Sequence, residues 1–199
     1  MKKKSSTLRI ILIMTTILLI LVLSYFYIQT RTTPIINRKD SVKTELDKLL
    51  SYDIENSYPN TPRELIKLYS RYAKAMFNEK LDDEEIDQLA NKIRLLFDEE
   101  LLVHNPLDEY LLELKTEITT YRKANRSMVN YVVQNTDNIL FWTKDKVEYA
   151  SVIASYTLKE NSDYTKLFEK FLVRKDSDGN YKVLGWEITE EVDLTSKVK

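Results

Sequence analysis

Among its 199 residues the chain has one histidine, His104, and no cysteine. A Ser-His-Asp triad or a histidine general base would have to use His104, which stands just before Asn105-Pro106 with no partner at a recognisable spacing. It reads as a structural or surface residue. Without cysteine there is no thiol nucleophile, disulfide or lipoprotein anchor, and one imidazole cannot make a zinc site. The two glycines, Gly179 and Gly185, cannot assemble a phosphate loop or a dinucleotide fingerprint.

Three acidic groups invite a metal reading and each has a plainer one. Asp82 to Glu85 open a helical pattern, where acids oppose the positive end of the helix dipole. Asp98, Glu99 and Glu100 are consecutive, so on a helix they point in different directions and read as a solvated face. Asp176-Ser177-Asp178-Gly179-Asn180 resembles the start of a calcium loop, but its glycine comes too early and no bidentate acid follows at the required offset. No catalytic residue, metal ligand or cofactor follows from these patterns. The candidate ligand-binding residues are Trp142, Tyr156 and Trp186, aromatics on strands that face a helical layer. Such residues fill a core or line a pocket, and here a pocket would be apolar with tyrosine hydroxyls as its polar handles.

The elements that would position them follow from periodicity. Val42, Leu46, Leu49 and Leu50 predict a short stalk helix over Ser41 to Ser51. Thr61-Pro62-Arg63-Glu64 is a helix start with Leu65, Leu68, Tyr69, Tyr72 and Met76 on its apolar face. Asp82 caps a second helix carrying Ile86, Leu89, Ile93 and Leu96, and Asn105-Pro106 opens a third with Leu107, Leu111, Leu114, Ile118 and Tyr121. From Ser127 the period becomes two. Strands are expected over Met128 to Gln134, Ile139 to Thr143, Val147 to Lys159, Tyr164 to Arg174 and Tyr181 to Thr189, with Leu184, Trp186 and Ile188 sharing a face of the last.

Ahead of this domain, Ile10 to Ile28 is an uncharged apolar run behind the basic tail MKKKSSTLR. As a helix its 19 residues would rise about 29 Å, the thickness of a bilayer core, so a single transmembrane helix is expected with the lipid bilayer as its partner. Lys2, Lys3, Lys4 and Arg9 crowd the short tail without an acid, which places the N-terminus in the cytoplasm and the C-terminal domain outside it. The first 28 residues hold four Lys and Arg and no acid, leaving 26 basic against 31 acidic residues and a net charge of −5. That lacks the basic footprint of a nucleic-acid binder. The expected divisions are a tail over 1–9, the span over 10–28, linker and stalk over 29–57, an α+β domain over 58–190 and a frayed tail over 191–199.

Three helices followed by a meander of long strands, ending in FEKFLVRKDSDGNYKVLGWEI, resemble the NTF2-like superfamily. That resemblance implies a curved antiparallel sheet of four to five strands wrapped on three helices as a cone with a cavity. The stretches TPRELIKLYSRYAKAMFNEK, LLFDEELL and RKDSDGNYKVLGWE are also similar to a family of N-terminally anchored proteins of Gram-positive bacteria, a domain of unknown function, which implies no catalytic residues. The expected fold class is therefore α+β, a transmembrane helix followed by an NTF2-like domain. The expected function is a non-catalytic binding or assembly module of the cell envelope with an envelope protein as partner. The alternative is a small-molecule carrier or enzyme that uses the cavity.

Overall fold

The structure, a computed structural model, describes residues 44–194. The chain divides into two units, Met1–Val42 and Lys43–Lys199, and every described residue belongs to the second.

Its helices begin where the sequence supplies caps. In α1 (Glu45–Leu50) Thr44 and Asp47 form a reciprocal capping box. In α2 (Pro62–Asn78) the Thr61 side chain accepts from the Glu64 N–H with proline in the first turn, and in α3 (Asp83–Arg94) Asp82 and Glu85 form a second capping box. Helix α4 (Glu99–His104) is capped by Asp98, and α5 (Leu107–Lys123) starts behind Pro106. Leu65, Leu68, Tyr72 and Met76 of α2 are buried as their spacing requires. The Tyr72 hydroxyl donates to the Leu49 carbonyl at 3.1 Å and fastens α1 onto α2.

The expected fold class needs correction. Besides the stalk helix, which is found as α1, the described residues hold four helices rather than three, because Asp98 starts an additional turn, α4, after the buried Leu96-Phe97 link. Among the described residues no helix is long and apolar enough to cross a membrane. The longest, α2 and α5, have 17 residues each and carry charges on their exposed faces. The transmembrane helix expected over 10–28 lies outside the described residues.

Strands β1 (Arg126–Val133), β2 (Leu140–Lys144), β3 (Val147–Glu160), β4 (Asp163–Lys175) and β5 (Tyr181–Ile188) form one antiparallel sheet in the order β1-β3-β4-β5. Strand β2 pairs with the first part of β3, Leu140 opposite Ser151 and Lys144 opposite Val147, while β1 pairs with its remainder up to Arg126 opposite Glu160. Since β4 fills the other edge of β3, β1 and β2 lie end to end along one edge. The β2–β3 turn puts Asp145 and Lys146 at φ 51° and 67°, the left-handed pair that a two-residue hairpin needs, and Gly179 at φ 85° closes the β4–β5 loop.

One face of the sheet carries the core. Ala150, Val152 and Ala154 of β3 and Phe171 and Val173 of β4 are fully buried on it beneath the helices. A register shift between Leu172 and Val173 breaks the alternation of β5, so that Val183 pairs with Val173 and Trp186 with Phe171. Val183, rather than Leu184, is thus the buried companion of Trp186 on this face. On the other face Phe168 and Leu194 are both buried, and the Leu194 carbonyl accepts from the Asn135 N–H at 3.4 Å.

Candidate ligand pocket

Tyr69, Ala73, Met76 and Phe77 of α2 recur at helical spacing and face the sheet side by side, as do Tyr110, Glu113, Leu114, Glu117 and Tyr121 of α5. Between these helices and the strands they enclose a cavity of about 260 Å³, closed by Met128 of β1, Tyr156 and Leu158 of β3, Leu167 and Glu169 of β4 and Trp186 of β5. The α5 stripe buries only Leu114 and Ile118 fully, since much of its length borders this space.

One wall is aromatic. The Trp186 ring lies 5.8 Å from Tyr69, 6.0 Å from Phe97 and 6.1 Å from Phe171, and Phe97 meets Tyr110 edge-on at 6.0 Å. At 41 % exposure Trp186 stands at the mouth. Another stack, Phe77 on Tyr121 at 4.4 Å, bounds the space elsewhere.

The polar groups differ in what they can still bind. Ser70 Oγ donates to the Ile66 carbonyl at 2.7 Å, so the Tyr156 hydroxyl, 3.0 Å from that Oγ, donates to Ser70 and keeps only acceptor capacity. Burial raises the Tyr156, Tyr69 and Tyr110 hydroxyls above the ordinary tyrosine range, Tyr110 to about 12, so all three stay protonated. Glu169 sits half-buried on the apolar face of β4, in register with Ala154 and Ile188. Burial first, and the Glu117 charge second, push its carboxyl up to about 7. Burial also raises Glu117, at the exposed rim. No hydrogen bond or salt bridge holds either carboxylate among the described residues. Nor does any Lys, Arg or His line the cavity. Arg94 and Arg126 stack on Tyr110 and Tyr121 at 5.2 and 5.1 Å, but Arg94 donates to the Asn105 carbonyl and Arg126 is paired with Glu160.

Of the residues expected at a site, Tyr156 and Trp186 line the cavity. Trp142 lies outside it, on β2, stacked on Tyr149 at 5.7 Å with their rings nearly parallel. His104 is exposed at the end of α4. The expected solvated face at Asp98–Glu100 holds for Glu99 and Glu100 but not for Asp98, which is 4 % exposed and gripped by Arg174. Asp176 accepts from the Asp178 and Asn180 N–H groups and shapes its turn. Two lining residues that motif and spacing do not single out, Glu169 and Glu117, each carry a signal in the sequence: Glu169 is a charge in line with Leu167, Phe171 and Val173 on one strand, and Glu117 a charge inside the Leu114-Ile118-Tyr121 stripe.

These residues define an α+β domain in which a helical layer and an antiparallel sheet enclose a small aromatic and acidic pocket. The chain belongs to the family described as "Domain of unknown function (DUF6715)", whose model matches residues 1–186. A comparison with curated proteins finds no match.

Proposed function

We propose that this protein is a non-catalytic binding module of the cell envelope whose ligand is a small molecule held in the pocket between α2, α5 and the sheet. The observation that carries the reading is a cavity of about 260 Å³ whose aromatic and aliphatic lining includes Glu117 and Glu169, neither paired among the described residues, the composition of a binding site rather than of a packing defect. The apolar run over 10–28 tethers the domain to the bilayer of a Gram-positive cell, with the basic tail in the cytoplasm and the domain outside, where an envelope protein is its partner. Support for this placement is the charge pattern of the sequence. The helices laid over an antiparallel sheet around a pocket support the likeness to the NTF2-like superfamily.

A Trp142→Phe variant leaves Trp186 as the sole tryptophan and makes its fluorescence a reporter of the pocket mouth. Titration with a neutral aromatic such as 2-phenylethanol should shift or quench that emission saturably, and Ala73→Trp, which fills the cavity from α2, should abolish the protective effect of the alcohol on thermal unfolding. A linear, non-saturating response to this alcohol and to its amine and carboxylate counterparts alike would refute the binding reading. Protease treatment of intact protoplasts tests the placement: digestion of the domain before lysis supports it, and protection opposes it.

One observation favours a second reading. A carboxyl whose pKa lies near 7 inside a cleft is poised to exchange protons, which is what a general acid or base requires. An enzyme acting through Glu169 would show turnover of a bound ligand that Glu169→Gln removes without weakening binding.

A further inference from the structure

The geometry points to an organic cation, a primary or quaternary ammonium on a short aromatic or aliphatic body, as the ligand class of this pocket, held by Glu169 and Glu117 and by the faces of Tyr69, Tyr110 and Trp186. This rests on the pocket being a ligand site and adds the sign of the ligand's charge.

Four observations converge. Among the described residues the ionisable groups in the lining besides tyrosines are Glu113, Glu117 and Glu169, all acidic. Among the described residues neither Glu117 nor Glu169 is neutralised by an ion pair or hydrogen bond, and the guanidinium groups of Arg94 and Arg126, stacked on Tyr110 and Tyr121, are engaged with the Asn105 carbonyl and with Glu160. An anionic ligand would find no donor of positive charge. The rings of Tyr69, Tyr110 and Trp186 are part of the lining, and an aromatic ring beside a carboxylate attracts a cation while covering its hydrocarbon part. A metal ion is the remaining cationic candidate, but among the described residues no group of three or more acids or imidazoles stands close enough to hold one. The Tyr156 hydroxyl, limited to accepting by its bond to Ser70, adds an acceptor suited to an ammonium N–H.

The placement of Glu169 supports the same sign. Desolvation and the Glu117 charge disfavour its ionised form, and an ammonium ligand would relieve both. Binding of the cation should therefore drive a proton off the protein near neutral pH, which a neutral ligand does not do.

The test uses the full-length chain with Trp142→Phe and three matched probes, 2-phenylethylamine, 2-phenylethanol and phenylacetate, which differ in charge and share a ring. The amine should bind at least about tenfold more tightly than the alcohol, and phenylacetate most weakly. In Glu169→Gln the advantage of the amine over the alcohol should shrink severalfold, and calorimetry in buffers of different ionisation enthalpy should show proton release with the amine in the parent and not in the variant. Equal binding of amine and alcohol, or a preference that survives Glu169→Gln combined with Glu117→Gln, overturns the cation assignment and leaves the pocket reading standing. If none of the three binds, the pocket reading fails and the assignment falls with it.

Discussion

Arg174→Met tests how the two layers are joined. Arg174 reaches from β4 to Asp98 at the start of α4, with Nε 3.0 Å from Oδ2 and Nη2 in close contact with Oδ1, a two-pronged pairing. The Asp98 side chain is 5 % exposed and that of Arg174 27 %. Asp98 also accepts from the Glu100 N–H at 2.9 Å, and its own N–H donates to the Val183 carbonyl at 2.8 Å, so this one residue ties α4 to β4 and β5. Methionine keeps the aliphatic stem and removes the fork, leaving a buried carboxylate with one donor. Breaking a fully buried pair costs about 3–5 kcal/mol. Because the arginine is a quarter exposed, water can partly replace it, and about 2–3 kcal/mol is expected in urea unfolding of the full chain. At about 2–4 °C per kcal/mol this lowers the melting temperature by about 5–10 °C. The internal control is Lys170→Met, which removes the exposed Lys170–Glu187 pair at 2.9 Å and should cost under about 0.5 kcal/mol. In a cycle with Asp98→Asn the two losses should overlap by more than about 1 kcal/mol. Equal effects of Arg174→Met and Lys170→Met, or strict additivity in the cycle, would show that the clamp does not join the layers.

Glu169→Gln should change the pH dependence of stability. The folded-state pKa is raised from 4.5 to about 7, so the folded protein holds the extra proton between these values. The associated stability is present below pH 4.5 and lost as pH rises through 7. Discounted for water in the pocket, the wild type should lose about 1–2 kcal/mol relative to the variant over that interval in chemical unfolding, and parallel profiles would contradict it. Asn78→Ala removes a side chain that accepts from the Met128 N–H and donates to the Met128 carbonyl, both at 2.7 Å, beside the irregularity in β1. Two partly buried backbone groups lose their partner, and unfolding should become easier by about 2–3 kcal/mol. Gly179→Ala should cost about 1 kcal/mol through its φ of +85° although no atom lies within 4 Å, whereas Gly185→Ala, equally uncrowded and without a positive φ, should stay within about 0.5 kcal/mol in the same measurement.

Elements with strong local signals are legible in the sequence. The Thr61-Pro62 and Asp82-Glu85 starts specify α2 and α3 within a residue, and alternation places all five strands within two residues of their observed ends. Helix α4 was not legible, because six residues with no buried side chain carry no amphipathic period. Its cap, Asp98, reads as one acid among three until a tertiary partner 76 residues away, Arg174, distinguishes it. The face of β5 was misread for a related reason. A bulge is specified by pairing with β4, so strict alternation assigned Leu184 where the register installs Val183. Among the aromatics, Trp142 and Trp186 have the same local signature and both stand on outer strands, and only the pairing register, Trp186 opposite the buried Phe171 and Trp142 opposite Tyr149, puts one on the helix-covered face and the other off it.

The contrast between Asp98 and Glu169 bears on function more than either residue alone. Asp98 is the more deeply buried, yet it takes two arginine prongs and a backbone N–H, and its presence is accounted for by the structure it builds. Glu169 takes nothing from the described protein, and burial with a like-charged neighbour works against its ionised form. Glutamine or leucine in that row of β4 would fit the apolar face without that cost. Departures of this kind from local consistency concentrate where a protein does its work, because stability alone offers no reason to keep them. A ligand that brings its own positive charge supplies the missing partner, which makes Glu169 the residue whose substitution should separate binding from folding most cleanly.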